Sequence, residues 1–199
     1  MLFRSAMNYG PIVHVAYYER PWAKQLRRLY SGEGIEWDKF TLKQILTKQL
    51  SGIKFPEYSS HNHHLSHAAA GFQTSSFNRA TVVVIDAIGE WDTISIWGAH
   101  YVDGQAQYHR LWRQKYPHSI GLFYSAITQR IGLRPNDEEY ITMGMSAYGK
   151  PLYTQNVINE VFDNFNNFSF KKNLHIGFDE DFLKRSEEHT SELQSRQYL

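Results

Sequence analysis

Two hydrophobic periods divide this chain. Residues 80–85, Ala-Thr-Val-Val-Val-Ile, are β-branched and almost uniformly apolar, which predicts a strand buried on both faces. The strand ends at Asp86, the turn 87–90 follows, and residues 93–97 alternate apolar with polar or small side chains as a return strand. Asp103-Gly104 makes a tight connection to a third strand over 105–112. Upstream, 11–18 reads as a short strand and Pro21 opens a helix over 22–30. Residues 31–34 form a turn, and 37–50 place Trp37, Phe40, Leu42, Ile45, Leu46 and Leu50 near helical period, as in an amphipathic core-facing helix. Residues 119–131 read as a helix capped by Ser119, with Leu122, Phe123, Ala126, Ile127 and Ile131 in one apolar stripe. The cluster Asp137-Glu138-Glu139 is a solvated helix start. Residues 153–165 predict a helix, and 166–178 a polar hairpin with interleaved aromatics.

Between the early elements and the apolar strand lies HNHHLSHAAAGF, with four of the chain's ten histidines. Its alanines and leucine favour helix, and residues four apart share a helix face, so His63 and His67 present two imidazoles to one point. That is metal-ligand spacing, although the same spacing also arises in incidental or capping histidine pairs. Asp86, at the end of an apolar strand, needs a cation or hydrogen-bond donors to offset its desolvation; it is equally a residue type that forms turns.

Composition narrows the chemistry. Lys+Arg 21 against Asp+Glu 20 gives a net charge of +1, which offers no argument for nucleic acid or an anionic membrane. There is no cysteine, so disulfides and thiolate metal sites are excluded and a metal must take N and O ligands. No apolar run approaches the roughly 20 residues of a membrane span, and no secretory signal opens the chain, so a cytoplasmic protein is expected. An aromatic content of 15% points to a packed domain.

Four motifs in order, HHLSHAAAGF, VVVIDAIGEWDT, GLFYSAITQRIGL and MGMSAYGKP, resemble the N-terminal domain of the O-carbamoyltransferase family that includes the nodulation and antibiotic-tailoring carbamoyltransferases. The likeness runs with gaps from about residue 13 to about residue 182. It implies an α/β fold: part of an actin-like, sugar-kinase-type ATPase domain, with antiparallel strands near the site and flanking helices. It also implies iron or another divalent metal on His63, His67 and Asp86. A further aspartate ligand lies far downstream in the family and has no counterpart here. His64 is the catalytic acid–base candidate and His61 another, with exposed bystanders the plain alternative. Gly89, Glu90 and Thr93 fall where the fold places a phosphate-binding turn, whose plain alternative is a hairpin turn. Gly144, Tyr148, Gly149 and Lys150 fall where the family lines the cleft for ATP-derived carbamoyl adenylate. Ile141 stands where that motif usually has lysine, and Ala147 where it has proline, which weakens the case for phosphate neutralisation.

The resemblance implies transfer of a carbamoyl group from carbamoyl adenylate to a hydroxyl of a small-molecule or glycan acceptor. A separate C-terminal domain makes the adenylate from carbamoyl phosphate and ATP. Hydrogenase-maturation and tRNA threonylcarbamoyl-type transferases share the His-x-x-x-His helix, and a non-catalytic remnant or binding module is the third reading. Residues 11–184 are expected to be a partial transfer domain lacking its first phosphate hairpin and the adenylate-forming domain, and therefore inactive in isolation. Residues 185–199 open with RSEEHTSELQS, which reads as a translated sequencing-library adapter and is expected to be an artefact.

Overall fold

The computed structural model describes residues 13–37, 40, 44 and 57–176. Apart from residues 37, 40 and 44, the expected helix over 37–50 lies outside the described residues, as does the adapter-like tail. The described residues divide into two compact units, those up to 84 with 89–113, and 85–88 with 114–176. The described elements are α-helices and strands whose hairpins are antiparallel, a mixed α/β composition. Among the described residues no helix is long and apolar enough to cross a membrane.

In the first unit, β1 (His14–Tyr17) pairs in parallel with β2 (Glu57–Ser60), His14 opposite Glu57 and Tyr17 opposite Ser60. The polar sequence of β2, Glu-Tyr-Ser-Ser, has no hydrophobic period, so it gave no strand signal. Helix α1 (Pro21–Tyr30) starts on proline at its first turn, where the missing N–H costs nothing. Helix α2 (His63–Gln73) is capped by Asn62, whose Oδ1 accepts from Leu65 N at 3.0 Å.

Strands β3 (Arg79–Gly89), β4 (Asp92–Val102) and β5 (Gln105–Lys115) form a sheet in that order. The hairpin pattern predicted from the sequence is present, but its strands are longer than their apolar runs. The expected turn over 87–90 shrinks to Glu90-Trp91, and Asp86 stands inside β3, three residues before its end. Asp103 and Gly104, with φ of 49° and 76°, make the tight turn between β4 and β5. The expectation that 80–85 is buried on both faces is wrong. Val84 is buried with Ala68 and Trp97, flanked by Leu65, Val82 and Tyr108, whereas Val83 and Ile85 on the opposite face are more than half exposed. Strand β3 lies at one margin of its sheet, and only one of its faces packs on α2.

In the second unit, helix α3 (Ile120–Arg130) is capped as expected, Leu122 N donating to Ser119 Oγ at 3.1 Å. The same hydroxyl donates to the carbonyls of Asp86 and Ala87, at 3.2 and 2.7 Å. Gly121 allows this approach, since a β-carbon there would lie 2.6 Å from Ala87 Cα. Helix α4 (Glu139–Ser146) begins at the acidic cluster, with Ser125 donating to Glu139 Oε1 at 2.7 Å. Helix α5 (Thr154–Val161) is shorter than the sequence predicts, because the chain turns extended at β6 (Phe162–Asn164), which pairs antiparallel with β7 (Ser169–Phe170). The aromatics decide that boundary: Phe162 and Phe170 meet ring to ring at 4.5 Å and join Ala126, Val161 and Leu174 in the core.

Candidate metal centre

The first turn of α2 carries the site. His63 and His67, one helical turn apart, bring their Nε2 atoms to 3.0 Å. Two ligands on bonds of about 2.1 Å at right angles lie about 3.0 Å apart, and about 3.4 Å apart at the tetrahedral angle. The pair therefore fits adjacent positions on one cation, and the nitrogen and oxygen donor set suits iron or another divalent transition metal. Asp86, the third residue of the expected ligand set, lies on the segment 85–88 of β3, which groups with the second unit. Asp86 Oδ1 also accepts from the neighbouring Ala87 N at 2.7 Å. His67 is exposed, while His63 and Asp86 are half-buried.

His64 sits differently. It is fully buried, its Nδ1 hydrogen-bonds with Ser95 Oγ at 2.7 Å, and Ser95 Oγ also accepts from Trp97 Nε1 at 2.7 Å. That places His64 in the core beneath α2 and gives it an anchoring contact. His61 is on the surface, its Nε2 2.8 Å from Ser59 Oγ, with His14 Nε2 on the same hydroxyl at 2.7 Å.

Of the turn residues, Gly89 is there for space. A β-carbon would fall 2.5 Å from His64 Cδ2 and 2.6 Å from His63 Cδ2, so only glycine lets β3 end against both rings. Gly89→Ala is expected to cost about 1–3 kcal/mol and to push His63 out of register with His67. Thermal unfolding compared with wild type checks it; an unchanged midpoint would show that the rings move aside freely. Glu90, at φ 61°, turns a buried carboxylate inward. It accepts from Arg20 N at 2.6 Å, Arg20 Nη2 at 2.6 Å, Arg20 Nε at 3.1 Å, Asn62 Nδ2 at 3.3 Å and His63 N at 3.3 Å. The carboxylate thus clamps the start of α1 to the start of α2. The hydrogen bonds to Glu90, followed by its charge, raise the Arg20 guanidinium above its ordinary value, so the cation persists at every pH at which the unit folds. Thr93 is fully buried on β4.

In the second unit, Gly144 lies on α4, and Tyr148, Gly149 and Lys150 follow that helix; all four are exposed. A β-carbon on Gly144 would meet nothing within 4 Å.

Sequence reasoning passed over Glu19 and Arg20. Both sit between β1 and α1, and their partners are remote in sequence, Arg20 meeting Glu90 across 70 positions. The one available signal was a pair of charges, Glu-Arg, next to the proline that opens a helix.

The profile described as "Carbamoyltransferase N-terminus" matches residues 12–192. The chain is 35% identical over 143 residues to "Uncharacterized protein sll1178" of Synechocystis, covering 69% of this chain and 23% of that protein. It is 31% identical over 139 residues to "Uncharacterized protein MJ1058" of Methanocaldococcus jannaschii, covering 64% and 22%. A more distant relative is "Nodulation protein NolNO" of Sinorhizobium fredii, 25% identical over 134 residues, covering 67% and 19%. The chain thus spans less than a quarter of the length of these curated relatives. With the match extending over all of the described residues, the chain belongs to the carbamoyltransferase N-terminal family.

Proposed function

We propose that this chain supplies the metal-binding part of a carbamoyl-transfer site, passing a carbamoyl group from carbamoyl adenylate to a hydroxyl of a small-molecule or glycan acceptor. The observation that carries the reading is the convergence of His63 Nε2 and His67 Nε2 at 3.0 Å, to which the family likeness adds Asp86 as the third ligand. In this reading the three residues hold iron or another divalent cation. A bound cation of this kind supplies Lewis-acid polarisation of an oxygen and template orientation of the reactants, a contribution of several kcal/mol.

The protein's own residues supply alignment. Asn62 caps α2, Glu90 holds the His63 amide, and Gly89 leaves room for both imidazole rings, so the ligand turn is fixed before any reactant arrives. His64, buried on Ser95, is assigned to this support. The exposed segment with Gly144, Tyr148, Gly149 and Lys150 is the proposed contact for the adenylate, within an actin-like ATPase fold, while the buried Gly89, Glu90 and Thr93 are assigned to support of the ligand turn. Carbamoyl phosphate and ATP are assigned to a separate adenylate-forming domain, and the cytoplasm, where both occur, is the proposed compartment.

Titrating the metal-loaded chain with a hydrolysis-resistant carbamoyl-adenylate analogue, and in parallel with AMP, tests the reading. Preference for the carbamoylated nucleotide that disappears on chelation is the expected result. Equal affinities with and without metal would overturn it.

A further inference from the structure

Behind His63, on the side away from His67, stands a carboxylate that the family reading leaves without a role. Glu19 is 2% exposed and lies between β1 and α1. Its Oε1 accepts from Tyr17 Oη at 3.1 Å, and Lys24 Nζ donates to both oxygens at 3.1 Å. Its Oε2 lies 3.8 Å from His63 Nδ1. That is longer than a direct hydrogen bond but well within the range of a charge acting on a ring N–H. Tyr17 stays a donor to this carboxylate, since burial, and then the charge of Glu19, push its phenol well above the ordinary value.

The two ring nitrogens of His63 thus face different partners, a carboxylate at Nδ1 and the Nε2 of His67 at the other end. A contact between two Nε2 atoms at 3.0 Å requires one proton between them. If the Glu19 charge draws the His63 proton to Nδ1, His67 becomes the donor and His63 Nε2 carries no proton. A bare Nε2 is the form that binds a metal, and a carboxylate on the opposite nitrogen fixes the ring and strengthens it as a ligand. Tyr18, edge-on to His63 with ring centroids 5.3 Å apart, limits rotation of the imidazole.

We propose that Glu19 is the positioning residue of His63: its carboxylate holds the imidazole in the Nδ1–H tautomer and presents Nε2 to a divalent cation. This rests on the metal reading above, but it makes a statement about the metal-free protein that can be tested separately. The bland alternative gives Glu19 only the task of anchoring Lys24 and Tyr17, in which case the His63 tautomer and metal affinity are indifferent to it.

The test uses the full chain. Long-range nitrogen–proton correlation spectra of the metal-free wild type, with His63 assigned through His63→Gln, report its tautomer. Cobalt(II) titrations then compare wild type, Glu19→Gln and Glu19→Asp. The expected results are an Nδ1–H tautomer for His63, cobalt affinity about 10–100-fold weaker in Glu19→Gln, and partial recovery in Glu19→Asp. An Nε2–H tautomer in the wild type, or Glu19→Gln binding cobalt as the wild type does, overturns the proposal. If Glu19→Gln fails to fold, the wild-type tautomer decides alone. If wild type and His67→Ala bind cobalt equally, the metal reading fails, while the tautomer still decides whether Glu19 governs His63.

Discussion

Glu90→Ala is expected to destabilise the first unit by about 2–3 kcal/mol. The carboxylate is 2% exposed and receives the Arg20 guanidinium and amide, the Asn62 amide group and the His63 N–H. Removing one partner of a fully buried ion pair typically costs about 3–5 kcal/mol, because the other charge is stranded. Arg20 is 38% exposed at its side chain, so water can take over part of its solvation and the cost is lower than that limit. The backbone N–H groups of Arg20 and His63 lose their acceptor as well, which restores part of the penalty. Urea unfolding followed by circular dichroism measures the change. A loss below about 0.5 kcal/mol, the level of an ordinary surface substitution, would show that the clamp contributes nothing. Glu90→Gln should fall between, since its amide oxygen still accepts but carries no charge to meet Arg20.

The second large effect is chemical. The double substitution His63→Ala with His67→Ala is expected to weaken divalent-metal binding by more than about 100-fold, because it removes both nitrogen ligands where loss of a supporting residue alone costs about 10–100-fold. His67→Ala alone separates binding from folding. His67 is exposed, so the truncation leaves no cavity, and the unfolding midpoint should stay near that of the wild type while the metal is lost. A parallel fall in both quantities would mean instead that His67 supports α2 structurally.

The helix that carries His63 and His67 on one face was legible because its evidence is local. An i, i+4 histidine pair on an alanine-rich segment defines a face without reference to anything else, and α2 has that face. The Asp103-Gly104 turn and the Ser119 cap were legible for the same reason, each being chemistry within two or three residues. Burial of β3 was not. Its Val-Val-Val-Ile run states that a strand is favoured, but which face is covered depends on pairing order and on where α2 packs, and Val83 and Ile85 face away from that packing. The early end of α5 is similar, since the pairing of Phe162 with Phe170 overrides helix propensity over 162–165.

The supports of the site were the least readable part. Gly89 looks like any turn glycine until His63 and His64 are placed against it, and Glu90 looks like a phosphate-turn residue until Arg20 arrives from 70 positions upstream. Such long-range polar contacts leave no periodicity in the sequence, because each is made once. The match to the carbamoyltransferase N-terminal profile bears out the four motifs as a family signature.

The most direct measurement is a cobalt(II) titration of the chain, with ligand-field absorption and bound stoichiometry recorded for the wild type and for His67→Ala. One cobalt per chain, with bands that vanish in His67→Ala, is the predicted result. A wild type whose binding is weak, non-stoichiometric or identical to that of His67→Ala would contradict the assignment of His63, His67 and Asp86 as a metal centre.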